Sequence, residues 1–180
     1  LDFHNFHGVD TQQFERGIAR MRLPVAHEGS ELQRAIALYW RTQYNDYEHV
    51  LLSFPMLNRL AELLIRENPS VLKALRLTYP VVFLDEFQDT TFAQFQLLLT
   101  AFDGSEAIFT AVGDDKQRIM VWAGAMPDAF AQFEQRFNAQ RISLICNWRS
   151  HEDLVRIQHV IARRIDSTVE MPEARADRLV

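Results

Sequence analysis

The 180-residue sequence predicts an α/β fold in which a mostly helical segment precedes a parallel sheet. Three observations carry this expectation. Short continuous apolar runs at 81–84, 107–112 and 141–146 each end abruptly in polar residues, as strands covered on both faces do. Stretches of helical period separate them, and such alternation implies a layered α/β structure. Before Tyr79-Pro80 helical periodicity dominates.

In chain order, residues 1–8 (LDFHNFHG) read as a short extended piece ending at Gly8. A helix to about Met21 follows, with Phe14, Ile18 and Met21 on one side, and Pro24, His27 and Gly29 break it. Ser30 with Gln33 has capping-box spacing, and Leu32, Ala35, Ile36, Tyr39 and Trp40 keep helical period after it. Pro55 opens another helix, whose apolar stripe is Leu57, Leu60, Ala61, Leu64 and Ile65, and Asn68-Pro69 stops it. After the first strand, Phe92, Phe95, Leu99 and Phe102 share a helix face. After the second, Pro127 starts a helix with Phe130, Phe133 and Phe137 on one side. After the third, Ser150 and Asp153 cap a helix carrying Leu154, Ile157 and Ile161. The organisation expected is a helical segment at 1–78, a sheet-bearing core at 79–140 and a further unit at 141–180, with the break near 138–142. No internal repeat or low-complexity segment interrupts it.

Composition narrows the class. Hydrophobic residues make up 48% of the chain and include thirteen Phe and three Trp, ample for a core. The single cysteine, Cys146, excludes a disulfide framework and fits a reducing compartment. No uncharged run approaches the roughly 18 apolar residues of a membrane helix. A net charge of −5 argues against coating nucleic acid by bulk charge, but not against a local groove with aromatic platforms. The first residue is Leu, so the start reads as cut rather than natural.

The polar residues gather where successive strands end, the edge at which open α/β sheets bind ligands. In Leu84-Asp85-Glu86-Phe87-Gln88-Asp89-Thr90, Asp85 is placed to hold Mg²⁺ and Glu86 to polarise an attacking water. Adjacent strand residues point to opposite faces, so a turn after Asp85 is needed to bring both to one site. Alone, the pair reads first as a solvated acidic turn after a strand. The next cluster runs from Val112 to Ala125. There Gly113 allows a tight strand exit, and Gln117 can hydrogen-bond a phosphate or the catalytic water. Trp122 is either core or a stacking surface for a base, worth roughly 1–3 kcal/mol. In Asn147-Trp148-Arg149-Ser150, Arg149 could neutralise charge on a transferred phosphoryl group and Trp148 offers a flat surface for adenine. A structural Arg at a helix start is the plainer alternative.

Taken in order and at this spacing, DEFQDT, VGDDKQ-I---W-GA and NWRS resemble motifs II, III and IV of UvrD/Rep-type superfamily 1 DNA helicases, over roughly residues 80 to 160. The resemblance implies a truncated RecA-like P-loop NTPase lobe. In it Asp85 coordinates Mg²⁺, Glu86 activates water and Gln117 senses the γ-phosphate. Trp122 stacks on single-stranded DNA, Trp148 on adenine, and Arg149 reaches the γ-phosphate from a second lobe. Asp89 and Thr90 stand behind the site. Asn5-Phe6-His7-Gly8 resembles the family's T-F-H-[SG] element, which implies DNA contact by Phe6 and His7. His4 and His7 lack a third ligand nearby, so a metal is not expected there. ATP and Mg²⁺ as cofactors follow from the resemblance. So do single-stranded or partly duplex DNA as partner, a role in DNA repair, and a cytoplasmic, nucleoid-associated location in a bacterium.

The family's phosphate loop, G-x-G-K-[ST], is absent from these residues and is expected upstream of Leu1. The 180 residues alone are therefore expected to be inactive. Arg118, Met120 and Ala123 depart from the usual motif III pattern, and the segment between Gly8 and Tyr79 is short for the family's helical insertion. The alternative is a non-catalytic DNA-binding or scaffold relative that has lost the phosphate loop.

Overall fold

The computed structural model describes residues 11–25, 29–45 and 52–174. The extended piece with Phe6 and His7, and the break residue His27, lie outside them. The described chain is a mixed helix and strand fold with two small parallel sheets.

Four helices come first: α1 (Thr11–Arg20), α2 (Glu31–Asn45), α3 (Phe54–Glu67) and α4 (Pro69–Thr78). The capping box forms as its spacing predicts. Ser30 N donates to Gln33 Oε1 at 2.7 Å and Gln33 N to Ser30 Oγ at 3.3 Å, so two of the helix's orphan N–H groups are met. Phe14, Ile18, Leu23, Ile36, Trp40 and Met56 form one core here. Pro69 does stop α3, but it also opens α4, because proline's missing N–H costs nothing in a first turn.

The apolar stripe expected on α3 is buried only in part: Leu60 packs on the first core and Ala61 and Ile65 are half-buried, but the fully buried residues are others. Met56, Arg59 and Glu62 are buried, whereas Leu57 and Leu64 are 45% and 61% exposed. Charge neutralisation explains how Arg59 and Glu62 come to be buried. Glu62 pairs with Arg59 Nη2 at 3.3 Å and with Arg66, and accepts from Thr100 Oγ1 at 3.0 Å. Arg59 Nε and Arg66 Nη2 satisfy the carbonyls of Met21 and Leu23. Burial pushes the Arg59 guanidinium below its usual value, against the opposing pull of Glu62.

The sheet that positions the site is β1 (Val81–Leu84) paired in parallel with β2 (Ile108–Ala111), with Val81 opposite Ile108 and Leu84 opposite Ala111. Between them runs α5 (Phe92–Phe102), capped by a reciprocal Thr91–Gln94 box, and α3 packs on it. After β2 comes α6 (Ala129–Phe137). Leu84, Phe109 and Ala111 pack against a second core built on Phe87, Phe95, Leu99, Met126, Ala129 and Phe133. Burial on both sheet faces was expected, and only one is covered: Val81, Phe83 and Ile108 are exposed. A continuous apolar run shows that both faces suit burial, not that one chain supplies both covers.

The third strand departs further from expectation. Residues 141–145 have no regular structure, and Ile142, Leu144 and Ile145 are 76%, 82% and 61% exposed. Only β3 (Cys146–Asn147) is strand, and it pairs in parallel with β4 (Glu173–Ala174) rather than joining β1 and β2. An apolar run reports a tendency to be buried; a strand also needs a free backbone edge, which here the 173–174 segment provides. The following helix, α7 (Glu152–Ile165), is capped by His151, whose Nδ1 accepts from Asp153 N at 3.4 Å, and not by Ser150. Asn147 Oδ1 holds the N–H groups of Arg149 and Ser150, both at 2.9 Å, which places Ser150 one residue before the cap. Val155 is the buried residue of α7, while Leu154, Ile157 and Ile161 stand exposed.

Candidate functional site

The site is built where β1 and β2 end side by side. Immediately past Asp85 the chain turns on Glu86, which adopts a left-handed conformation (φ 49°, ψ 39°) and leads into a short 3-10 turn, Phe87–Asp89. Such a conformation is uncommon for a residue with a Cβ. This is the turn the sequence required, since it releases Asp85 and Glu86 from opposite strand faces onto one cleft. That cleft, of about 410 Å³, is lined by Phe83, Asp85, Glu86, Thr90, Gln94 and their neighbours. Asp85 Oδ1 accepts from Glu86 N at 2.9 Å, which fixes the carboxylate at the strand tip.

Three bonds tie the β1 end to the β2 end. Phe87 N donates to Val112 O at 2.9 Å, and Asp89 Oδ1 accepts from Met120 N at 3.3 Å. Buried between them, Gln88 donates from Nε2 to Glu86 Oε2 at 2.7 Å and accepts on Oε1 from Asp114 N at 3.0 Å. Thr90 O further accepts from Met126 N at 2.9 Å, and Asp89 and Thr90 line the cleft together with the acidic pair. Gly113 is needed for space: a Cβ there would lie 2.1 Å from Gln88 Oε1 and 3.0 Å from Phe87 N.

Beyond Gly113, Asp114 caps a 3-10 turn, Asp115–Gln117. Its carboxylate takes Lys116 Nζ at 3.0 Å and Gln117 Nε2 at 3.1 Å. Partial burial pushes the Asp114 carboxyl up, but the hydrogen bonds from Lys116 and Gln117 outweigh it and hold it below its usual range. Gln117 and Arg149 line one broad groove between β2, α6 and α7. Asp85 and Glu86 face the other cleft, and Trp148 lines neither. Trp122 is 82% exposed, flanked by exposed Ile119 and Val121, and belongs to neither buried cluster of the described residues. Arg118, one of the departures from the motif, pairs with Asp115 at 2.8 Å.

A single exposed carboxylate at a strand tip fits Mg²⁺ as it is held beside a nucleotide, with waters and phosphate oxygens completing the shell. No cluster of three or more His, Cys, Asp or Glu side chains that could hold a metal ion occurs among the described residues. Gln88 and Asp114 were missed by sequence reasoning. The available signal was an amide two residues after the acidic pair, followed 25 residues later by a glycine at the neighbouring strand's exit.

A family model described as the UvrD/REP helicase N-terminal domain matches residues 8–138. The chain belongs to this family. Among curated relatives, the ATP-dependent DNA helicase Rep of Escherichia coli is 35% identical over 112 residues, covering 62% of this chain and 16% of that protein. The probable DNA helicase II homolog of Mycoplasma capricolum is 32% identical over 132 residues, 72% of this chain and 18% of that protein. DNA helicase II of Rickettsia typhi is 29% identical over 154 residues, 80% and 22% respectively. The matched part of this UvrD/REP-family chain therefore spans about a fifth or less of those relatives' lengths. No helix among its described residues is long and apolar enough to cross a membrane.

Proposed function

We propose that this chain supplies the metal-holding, water-activating and γ-phosphate-sensing part of an ATP-dependent DNA helicase that moves along single-stranded DNA. The observation that carries it is the left-handed turn at Glu86, which presents two consecutive carboxylates at the end of β1 beside the loop bearing Gln117. Residues 79–140 then correspond to the RecA-like core of a first lobe with motifs II and III, and residues 141–180 to the start of a second lobe with motif IV.

Bound Mg²⁺ would neutralise charge on the transferred phosphoryl group. Asp85 would hold the ion, and Glu86 would orient and deprotonate the attacking water. Gln117 would report the γ-phosphate to the DNA-facing segment, where Trp122 stacks on a base. Trp148 would stack on adenine and Arg149 would close on the phosphate as the lobes approach. Phe6 and His7 would add a DNA contact. The 180 residues contain no G-x-G-K-[ST] and are proposed not to hydrolyse ATP unaided.

The test is a coupled ATPase assay with single-stranded DNA. In the full-length protein that carries these residues, Glu86→Gln should cut kcat by about 10²-fold or more while ATP binding persists, and the isolated 180 residues should show no turnover. Retained turnover in Glu86→Gln overturns the assignment of the base. A full-length protein that binds DNA without any turnover supports the scaffold alternative.

A further inference from the structure

We infer that Gln88 is a positioning residue for the water-activating carboxylate, tying Glu86 to the loop that carries Gln117. This rests on the proposed role of Glu86 and adds a component to it. Four residues form one hydrogen-bonded line. Gln117 Nε2 donates to Asp114 Oδ2 at 3.1 Å, Asp114 N donates to Gln88 Oε1 at 3.0 Å, and Gln88 Nε2 donates to Glu86 Oε2 at 2.7 Å.

The direction of the Gln88 amide is fixed by chemistry. Asp114 N–H can only donate, so the amide oxygen must face it, and the NH₂ is thereby turned toward a carboxylate that can only accept when ionised. Gln88 is 2% exposed, so its own amide is shielded from water and both bonds are partly buried, and it is too enclosed to touch nucleotide itself. Glu86, by contrast, is exposed and sits at the mouth of the cleft. Without Gln88 its side chain would sample several rotamers at a site where misplacement of the base is costly. The bare Cα of Gly113 completes the arrangement, because any side chain there would occupy the place of the Gln88 oxygen. A displacement of Gln117 on meeting a phosphate thus reaches Glu86 through two intermediates, Asp114 and Gln88, of which Gln88 is buried and the Gln117–Asp114 bond lies at the surface.

Two variants of the full-length protein separate positioning from packing. Gln88→Glu keeps the shape and the acceptor for Asp114 N–H but removes the donor to Glu86. Gln88→Leu removes both. Each should lower the DNA-stimulated kcat about tenfold or more, with KM for ATP unchanged. Gln117→Ala should cost much less in the Gln88→Leu background than in the wild type, because the line is already cut. If both substitutions unfold the protein, Gly113→Ala crowds the same amide from the loop side and should give the same kcat loss. A folded Gln88→Glu protein with kcat within about twofold of wild type, or Gln117→Ala effects that multiply independently, overturns the inference while Glu86→Gln remains inactive. Turnover in Glu86→Gln would instead remove the reading beneath it.

Discussion

Asp114 serves both strand ends, its backbone N–H meeting Gln88 and its carboxylate gathering Lys116 and Gln117. Its carboxyl is held below the usual range because these hydrogen bonds outweigh the cost of partial burial. A depressed folded-state value means that the ionised form favours the fold. The stabilisation is complete above the ordinary carboxyl range and is lost as pH falls through the lower, folded-state value. Asp114→Asn should therefore be less stable than wild type at neutral pH, with the difference closing in acid. Thermal unfolding across pH measures this, and a gap that widens as pH falls would contradict it. At this scale the sequence was partly transparent. Asp85, Glu86, Gln117 and Arg149 stand out only through the order and spacing of their clusters, since each alone reads as an ordinary polar residue after a strand. Gln88 does not, because its role exists only through a contact with a residue 26 positions away.

Helix α3 shows what hydrophobic patterning alone does not resolve. Its leucines predict one face, yet it turns Arg59 and Glu62 toward α5 and the turn after α1, where each charge finds its counterpart. Glu62 is the shared acceptor for Arg59, Arg66 and Thr100. Removing it strands a buried guanidinium, so Glu62→Ala should cost about 3–5 kcal/mol, read as a lower urea midpoint. A loss under about 1 kcal/mol would mean that Arg59 escapes to solvent. The α2 cap and the α5 helix were legible because they are local. The fate of 141–146 was not, because strand pairing depends on which distant edge is free.

At the scale of the whole molecule, the described residues form two buried clusters, one among α1–α3 and one beneath β1 and β2. Between α6 and β3 the backbone of 141–145 makes no regular pairing and its apolar side chains lie open. Limited trypsin digestion should therefore cut first between α6 and α7, at Arg141 or Arg149. The fragment that ends there should keep a cooperative thermal transition, since both clusters lie before residue 140. Resistance of this stretch under conditions that cleave elsewhere would argue against the division near 138–142. The alternation of strands and helices was readable across this span, whereas the exposure of one sheet face was not. Apolar composition says how much surface seeks cover, not what covers it.

Glu86 occupies backbone space where glycine would sit without strain, and a side chain there costs about 1–2 kcal/mol. Selection for persistence of the fold alone would let this position drift to glycine, and selection for turnover would forbid it. On the proposed reading of Glu86 as the base, the residue found at 86 in a descendant of this sequence would record whether that lineage still hydrolyses nucleotide.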